Sequence, residues 1–128
     1  MVRGDPTRPK CSSWWGRKGN KWQPGQLLTL GEGCDSNGRC YNCYTDDTII
    51  HEFIHAIGFA HEHNRFDRDS YVTIHKENIK KGSQSQFDNR NKLDWLTFGT
   101  KYDGKSIMHY TSTSGSKNGK PVMTSKVS

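Results

Sequence analysis

Three histidines and one glutamate are the residues of this sequence best suited to chemistry. His51 and His55 stand four apart in the run His51-Glu52-Phe53-Ile54-His55. On a helix, that spacing projects both rings from one face about one turn apart. Two imidazoles so placed can reach one metal ion at about 2.0–2.1 Å each. Glu52 sits beside them, where a carboxylate can take a proton from water held at the metal. Two ligands do not complete a site. The chain runs on as Ala56-Ile57-Gly58-Phe59-Ala60-His61, and Gly58 turns it so that His61 approaches the same ion from another side. Three neutral imidazoles with one position left for water form the donor set of a catalytic zinc site rather than a structural one. Reading these as ordinary helix histidines fails on clustering, since four of the six histidines (51, 55, 61 and 63) fall in one short stretch. His63 lies outside the pattern and is assigned no metal role. His75 is assigned to the surface, and His109 has no evident ligand role.

These side chains need a helix and a turn to hold them. The spacing predicts a helix from about Asp47 to Ile57, capped by Asp46 or Asp47 and ended at Gly58. Ile50, Phe53, Ile54 and Ile57 recur at helical spacing as one apolar face. Upstream, Ser12 to Gly16 and Gln26 to Leu30 read as strands, with a Gly, Asn and Pro-rich loop between them. Gly31, Gly33 and the stretch from Asp35 to Tyr44 read as further loop. Downstream, Tyr71 to Ile74 reads as a short strand and Lys80 to Lys92 as loop. Trp95, Leu96 and Phe98 are expected in the core. The stretch after Tyr110 reads as a hairpin or loop leading to Pro121-Val122-Met123. There are no internal repeats.

The 128 residues fit one domain, and a chain of this size can bury about two-thirds of its unfolded surface. Only 30% of the residues are hydrophobic, so a loop-rich fold leaning on a metal or disulfides is expected. Cys11, Cys34, Cys40 and Cys43 form an even set that favours two disulfides and an oxidising compartment, with three pairings open. No apolar run is long enough to span a bilayer. Residues 1 to 10 read as a flexible, charged lead without the apolar stretch of a secretory signal, and the expectation is a fragment of a secreted protein. The lead contains Arg3-Gly4-Asp5, read as a chance occurrence of an adhesion tripeptide. The formal charge of +6 is scattered and reads as a solvated surface, with no basic stripe for nucleic acid.

The run His51-Glu52-Phe53-Ile54-His55-Ala56-Ile57-Gly58-Phe59-Ala60-His61 matches H-E-x-x-H-x-x-G-x-x-H, the metzincin pattern, without a gap. Glu62 after the third histidine, then Arg65-Phe66-Asp67-Arg68-Asp69 and Tyr71-Val72, resemble the astacin form of that pattern. Ser106-Ile107-Met108-His109-Tyr110 looks like the astacin Met-turn. Trp15-Gly16-Arg17-Lys18-Gly19, read with Cys11 and Cys34, is similar to the segment before the zinc helix. The resemblance covers about residues 11 to 123. It implies an α+β, metzincin-like fold with a small upper sheet over the zinc helix and an irregular lower part. It implies one catalytic Zn2+ on His51, His55 and His61, with Tyr110 as a further ligand that swings away to meet the oxyanion. Glu52 is then general base and later general acid, and Met108 lies beneath the metal. The implied activity is endopeptidase action on protein or peptide substrates by a secreted parent protein. The strand near Ser12 to Gly16 is implied as a rim that pairs with extended substrate, and Cys11–Cys34 as a disulfide.

The chain departs from that pattern at both ends. Residues 11 to 128 are read as a partial catalytic domain, and a catalytically impaired zinc-binding fragment is the alternative function. Mature family members bury a new N-terminus near the glutamate that Glu62 matches, so Glu62 needs another partner here. Cys40 and Cys43 are read as a short local disulfide. Together with His51 and His55 they also make C-x2-C-x7-H-x3-H, a zinc-finger-like spacing with too short a spacer, which leaves His61 and Glu52 unexplained. Lys101 and Lys105 are read as solvated, although they could favour acidic residues after the cut.

Overall fold

The structure, a computed structural model, describes residues 11–16, 28–34, 38, 40–92 and 96–126. The lead with Arg3-Gly4-Asp5, the Gly and Pro-rich loop before residue 28, and Trp95 lie outside these residues. The chain divides into two compact units, Met1–Ala60 and His61–Ser128.

In the first unit, strand β1 (Cys11–Ser13) pairs antiparallel with β2 (Leu28–Leu30), Cys11 opposite Leu30 and Ser13 opposite Leu28. The strand read from Ser12 to Gly16 therefore starts earlier and ends at Ser13. After Gly31, β3 (Glu32–Cys34) pairs antiparallel with β4 (Cys40–Asn42). The loop predicted there is a hairpin, and the reason is covalent. Two three-residue strands are too short to hold alone, but Cys34 and Cys40 face each other in register and are bonded.

The second disulfide joins Cys11 to Cys43, with Cα atoms 5.6 Å apart. Both pairings anticipated from the sequence, Cys11–Cys34 and Cys40–Cys43, are thus corrected. The ladder explains why. Cys11 lies opposite Leu30, and the Cys43 amide donates to the Gly31 carbonyl at 3.0 Å. Cys43 is thereby carried to the end of β2, beside Cys11. Cys40 and Cys43 instead lie along one extended segment, which separates them by roughly 10 Å at about 3.3 Å per residue, beyond disulfide reach.

Helix α1 spans Asp46–Ala56. Its cap is Thr45 rather than either aspartate: Thr45 has the extended backbone a cap needs, and its Oγ1 accepts from the Thr48 amide at 3.3 Å. Asp46 and Asp47 fall in the first turn, where negative charge meets the positive end of the helix dipole. The apolar spacing suggests a core-facing stripe, yet Ile50, Phe53 and Ile57 are 49%, 58% and 73% exposed. The buried residues of the helix are Glu52 and His55. The Gly16 amide, just past β1, donates to the His55 carbonyl at 2.9 Å. The helix therefore leans on β1 and β2 with its polar, chemistry-bearing face.

In the second unit, β5 (Val72–Ile74) pairs antiparallel with β6 (Met123–Ser125), Ile74 opposite Met123. Ile79, Phe87 and Val122 form a small core, with Ile74 and Tyr110 packed against it. Short 3-10 turns at Glu62–Asn64, Arg68–Ser70, Lys76–Asn78 and Gln84–Phe87 supply most of the remaining regular backbone. Leu96 and Phe98, expected in the core, are 75% and 77% exposed. A turn closed by the Thr100 amide on the Thr97 carbonyl holds Phe98 at φ 50° and keeps it outward. No helix among the described residues is long and apolar enough to cross a membrane.

Candidate metal centre

Helix α1 carries His51 and His55 one turn apart, their rings 4.6 Å between centroids and perpendicular. The Ile57 and Gly58 amides close the helix by bonding back to Phe53 and His55, and Gly58 turns the chain at φ 115°. That conformation suits a residue without Cβ. His61 then sits in extended backbone at the start of the next turn. Ligand-capable nitrogens of His51, His55 and His61 all lie within 4.8 Å of one another. The sequence pattern thus brings its three histidines together.

The residues around them fit zinc. His55 directs Nδ1–H at the Phe59 carbonyl, 2.7 Å away, which puts the lone pair that can ligate a metal on Nε2. Burial lowers the His55 pKa, the Phe59 carbonyl opposes that shift, and His51 adds to it; the outcome favours the neutral ring a metal requires. Glu52 is 5% exposed, and its Oε2 is a buried oxygen without a hydrogen-bond partner. A buried carboxylate oxygen left bare costs stability unless a polar ligand meets it. Burial raises the Glu52 pKa, while the charge of His51 and the Ser13 backbone amide pull it down. A carboxylate moved in this direction is better suited to accept a proton near neutral pH.

In the second unit, the amide of Glu62, next to His61, donates to the Met108 carbonyl at 2.9 Å, and Met108 is 5% exposed. The Tyr110 ring lies 4.6 Å from the His61 ring, centroid to centroid. The two residues singled out in Ser106–Tyr110 therefore sit beside the third histidine.

Glu62 has the partners it needed. Its Oε1 accepts from Arg65 Nη1 at 3.0 Å and from the Asp103 amide at 2.9 Å. Arg65 also binds Asp67 through Nε and Nη2, and the Thr100 and Lys101 carbonyls. The spacing Glu62-x-x-Arg65-x-Asp67 carries that ion-pair signal, and it ties the segment before the Met-turn to the end of the histidine pattern. His63, set aside as outside the pattern, is fully buried. Its pKa is lowered to about 4, chiefly by burial, with the Gln86 carbonyl opposing and His109 and Arg68 adding to the shift. The zinc-finger spacing is overturned, because Cys40 and Cys43 are both held in disulfides and offer no thiolate.

Comparison with known proteins agrees with this geometry. The family model described as Astacin, a peptidase family, matches residues 6–128. Zinc metalloproteinase nas-13 of Caenorhabditis elegans is 47% identical over 115 residues, covering 88% of this chain and 22% of that protein. Zinc metalloproteinase nas-8 of Steinernema carpocapsae is 40% identical over 116 residues, covering 91% of this chain and 25% of that protein. The chain thus spans about a quarter or less of the length of these relatives. Among solved structures, High choriolytic enzyme 1, a hatching enzyme zinc-protease from Oryzias latipes, superposes with a TM-score of 0.75 at 34% identity, covering 95% of this chain and 54% of that one. With a family match that runs from residue 6 to the last residue and a shared α+β fold, the chain belongs to the astacin family.

Proposed function

We propose that this chain supplies the catalytic zinc site of a zinc-dependent endopeptidase that hydrolyses internal peptide bonds of proteins. The observation that carries the reading is the buried, unpartnered Glu52 Oε2 on the helix whose His51 and His55 converge with His61. In this reading His51, His55 and His61 hold one Zn2+. When bound, zinc polarises the scissile carbonyl and lowers the pKa of its water to about 7. Glu52 accepts the proton of the attacking water and passes it to the leaving amine. Tyr110, beside His61, would serve as a further ligand and would donate a hydrogen bond to the oxyanion of the substrate. Met108 provides the apolar floor, and the edge of β1 pairs with extended substrate. The disulfides accord with an extracellular parent protein. Residues 11–128 are then the part of the catalytic domain that carries the metal.

The alternative is a zinc-binding but catalytically impaired fragment, favoured by the exposure of Ile50, Phe53 and Ile57 on the zinc helix. One experiment separates the two. The purified chain and Glu52→Ala are incubated with a quenched fluorogenic peptide library, with and without chelator, and zinc is counted in both. Chelator-sensitive cleavage lost in Glu52→Ala with zinc retained supports the endopeptidase. Bound zinc without wild-type cleavage supports the fragment, and absence of zinc from both sinks the site.

A further inference from the structure

Two histidines that the metal pattern does not use enclose Tyr110. His63 is wholly buried, and its ring lies 4.1 Å from the Tyr110 ring and 5.3 Å from the His61 ring, centroid to centroid. His63 Nε2 lies 3.1 Å from the Gln86 carbonyl, which can only accept, so Nε2 carries the proton. Nδ1 is then an acceptor, and the Tyr110 amide donates to it in a long bond of 3.4 Å. On the other side, His109 Nδ1 lies 2.7 Å from the Tyr110 carbonyl and must donate to it. His109 Nε2 is thereby left to accept from the Tyr102 hydroxyl. Both polar groups of the Tyr110 backbone are therefore bonded by histidine rings. The Gln86 carbonyl holds His63 in its tautomer, and the Tyr110 carbonyl itself holds His109 in its own.

We infer that His63 and His109 are positioning residues that fix the Tyr110 backbone, so that only the Tyr110 side chain moves during turnover. The inference rests on the reading of Tyr110 as a metal ligand and oxyanion donor. A ring that leaves and returns needs an anchored pivot, because a displacement of about 1 Å at a reacting group can cost 10²-fold in rate. His63 adds a ring face against which the Tyr110 ring rests. The anchors have different second partners: His63 is tied to Gln86, and His109 to Tyr102. Neither need touch substrate.

The test uses the full chain loaded with Cu2+ in place of zinc, since a tyrosine that ligates Cu2+ gives a visible charge-transfer band. The variants are His63→Phe and His109→Phe, which keep a ring but remove the hydrogen bonds. His63→Asn and His109→Asn return, near Nδ1, an acceptor for the Tyr110 amide and a donor for the Tyr110 carbonyl respectively. Copper stoichiometry and near-UV circular dichroism exclude unfolding, and the half-buried His109 gives a second route should His63→Phe not fold. The expected result is loss of the band in the Phe variants with one Cu2+ still bound, and its recovery in the two Asn variants. With zinc, kcat in the Phe variants should fall about 10- to 100-fold with KM little changed. A wild-type band that persists undiminished in the folded Phe variants overturns the positioning role and leaves the endopeptidase reading standing. A wild-type protein that binds one Cu2+ without any such band overturns the ligand role of Tyr110, and this inference with it.

Discussion

The Gly16 amide donates to the His55 carbonyl at 2.9 Å, tying the end of strand β1 to the last turn of the helix that presents His51 and His55. Gly16 and Gly58 meet there: a Cβ built on either would lie 3.6–3.7 Å from the other's Cα, an ordinary contact. What reserves these positions for glycine is backbone conformation, φ 64° at Gly16 and φ 115° at Gly58. Gly58→Ala should therefore cost about 1–3 kcal/mol through strain rather than collision. Because Gly58 also steers the chain to His61, zinc affinity should fall in the same variant. Thermal unfolding and competition with a chromogenic chelator check both. Unchanged zinc affinity would separate the turn from the site.

The three-histidine cluster is legible in the sequence because it is local. His51, Glu52 and His55 need only a helix, and His61 needs only a turn at Gly58, so eleven consecutive residues encode the cluster. The disulfides were not legible, because their pairing depends on a strand register that no local spacing reveals. Cys43 lies beside Cys11 through the alignment of β2 with β1 and the bond between Gly31 and Cys43. The apolar period of the helix misled for a different reason. Ile50, Phe53 and Ile57 do share a stripe, but the helix buries the face with Glu52 and His55, and periodicity carries no information about which face is covered. His63 and His109 were passed over because their partners, Gln86 and Tyr102, are remote from the motif or unrelated to it in type.

The two disulfides should contribute unequally. Cys11–Cys43 spans 32 residues and Cys34–Cys40 spans 6. By loop-closure entropy, losing the first costs about 4 kcal/mol and losing the second about 2 kcal/mol. The double variants Cys11→Ser/Cys43→Ser and Cys34→Ser/Cys40→Ser, compared by urea unfolding, should rank in that order. The reverse order would mean that the β3–β4 hairpin contributes more to the first unit than its small loop implies.

The Arg65 network predicts an acid-sensitive step in the second unit. Arg65 is buried, and its guanidinium holds the Asp67 pKa below the ordinary value of 3.8, chiefly through hydrogen bonds at 2.9 and 3.0 Å, against an opposing effect of burial. A carboxylate with a depressed folded pKa contributes stability that is fully present above its unfolded pKa and is lost as pH falls through the folded value. Asp67→Asn should therefore destabilise the protein at neutral pH, by about 1.5–3 kcal/mol for a hydrogen bond to a charged group. The gap to wild type should narrow as pH drops below 3.8. Chemical denaturation at neutral and strongly acid pH checks this. A gap that stays constant across that range would assign the loss to packing instead of charge.

Zinc itself should act as a stabilising ligand of the folded chain. A metal that binds the native state alone raises stability with the logarithm of its concentration, by about 4 kcal/mol at 1,000 times its Kd. Chelation should thus lower the Tm of the wild-type chain. His61→Ala removes one of the three converging donors, while leaving helix α1 and its Thr45 cap intact. Its metal-free Tm should lie near that of the metal-free wild type, and its response to added zinc should shrink sharply, because two imidazoles hold the ion far less firmly than three. His75→Gln offers the control, since His75 lies outside the converging set and bonds Thr124 instead: it should retain the full zinc-dependent shift even where its metal-free stability is lower. A His61→Ala protein that kept the wild-type shift would place the third ligand elsewhere and undo the assignment of the glycine turn as the feature that completes the metal centre.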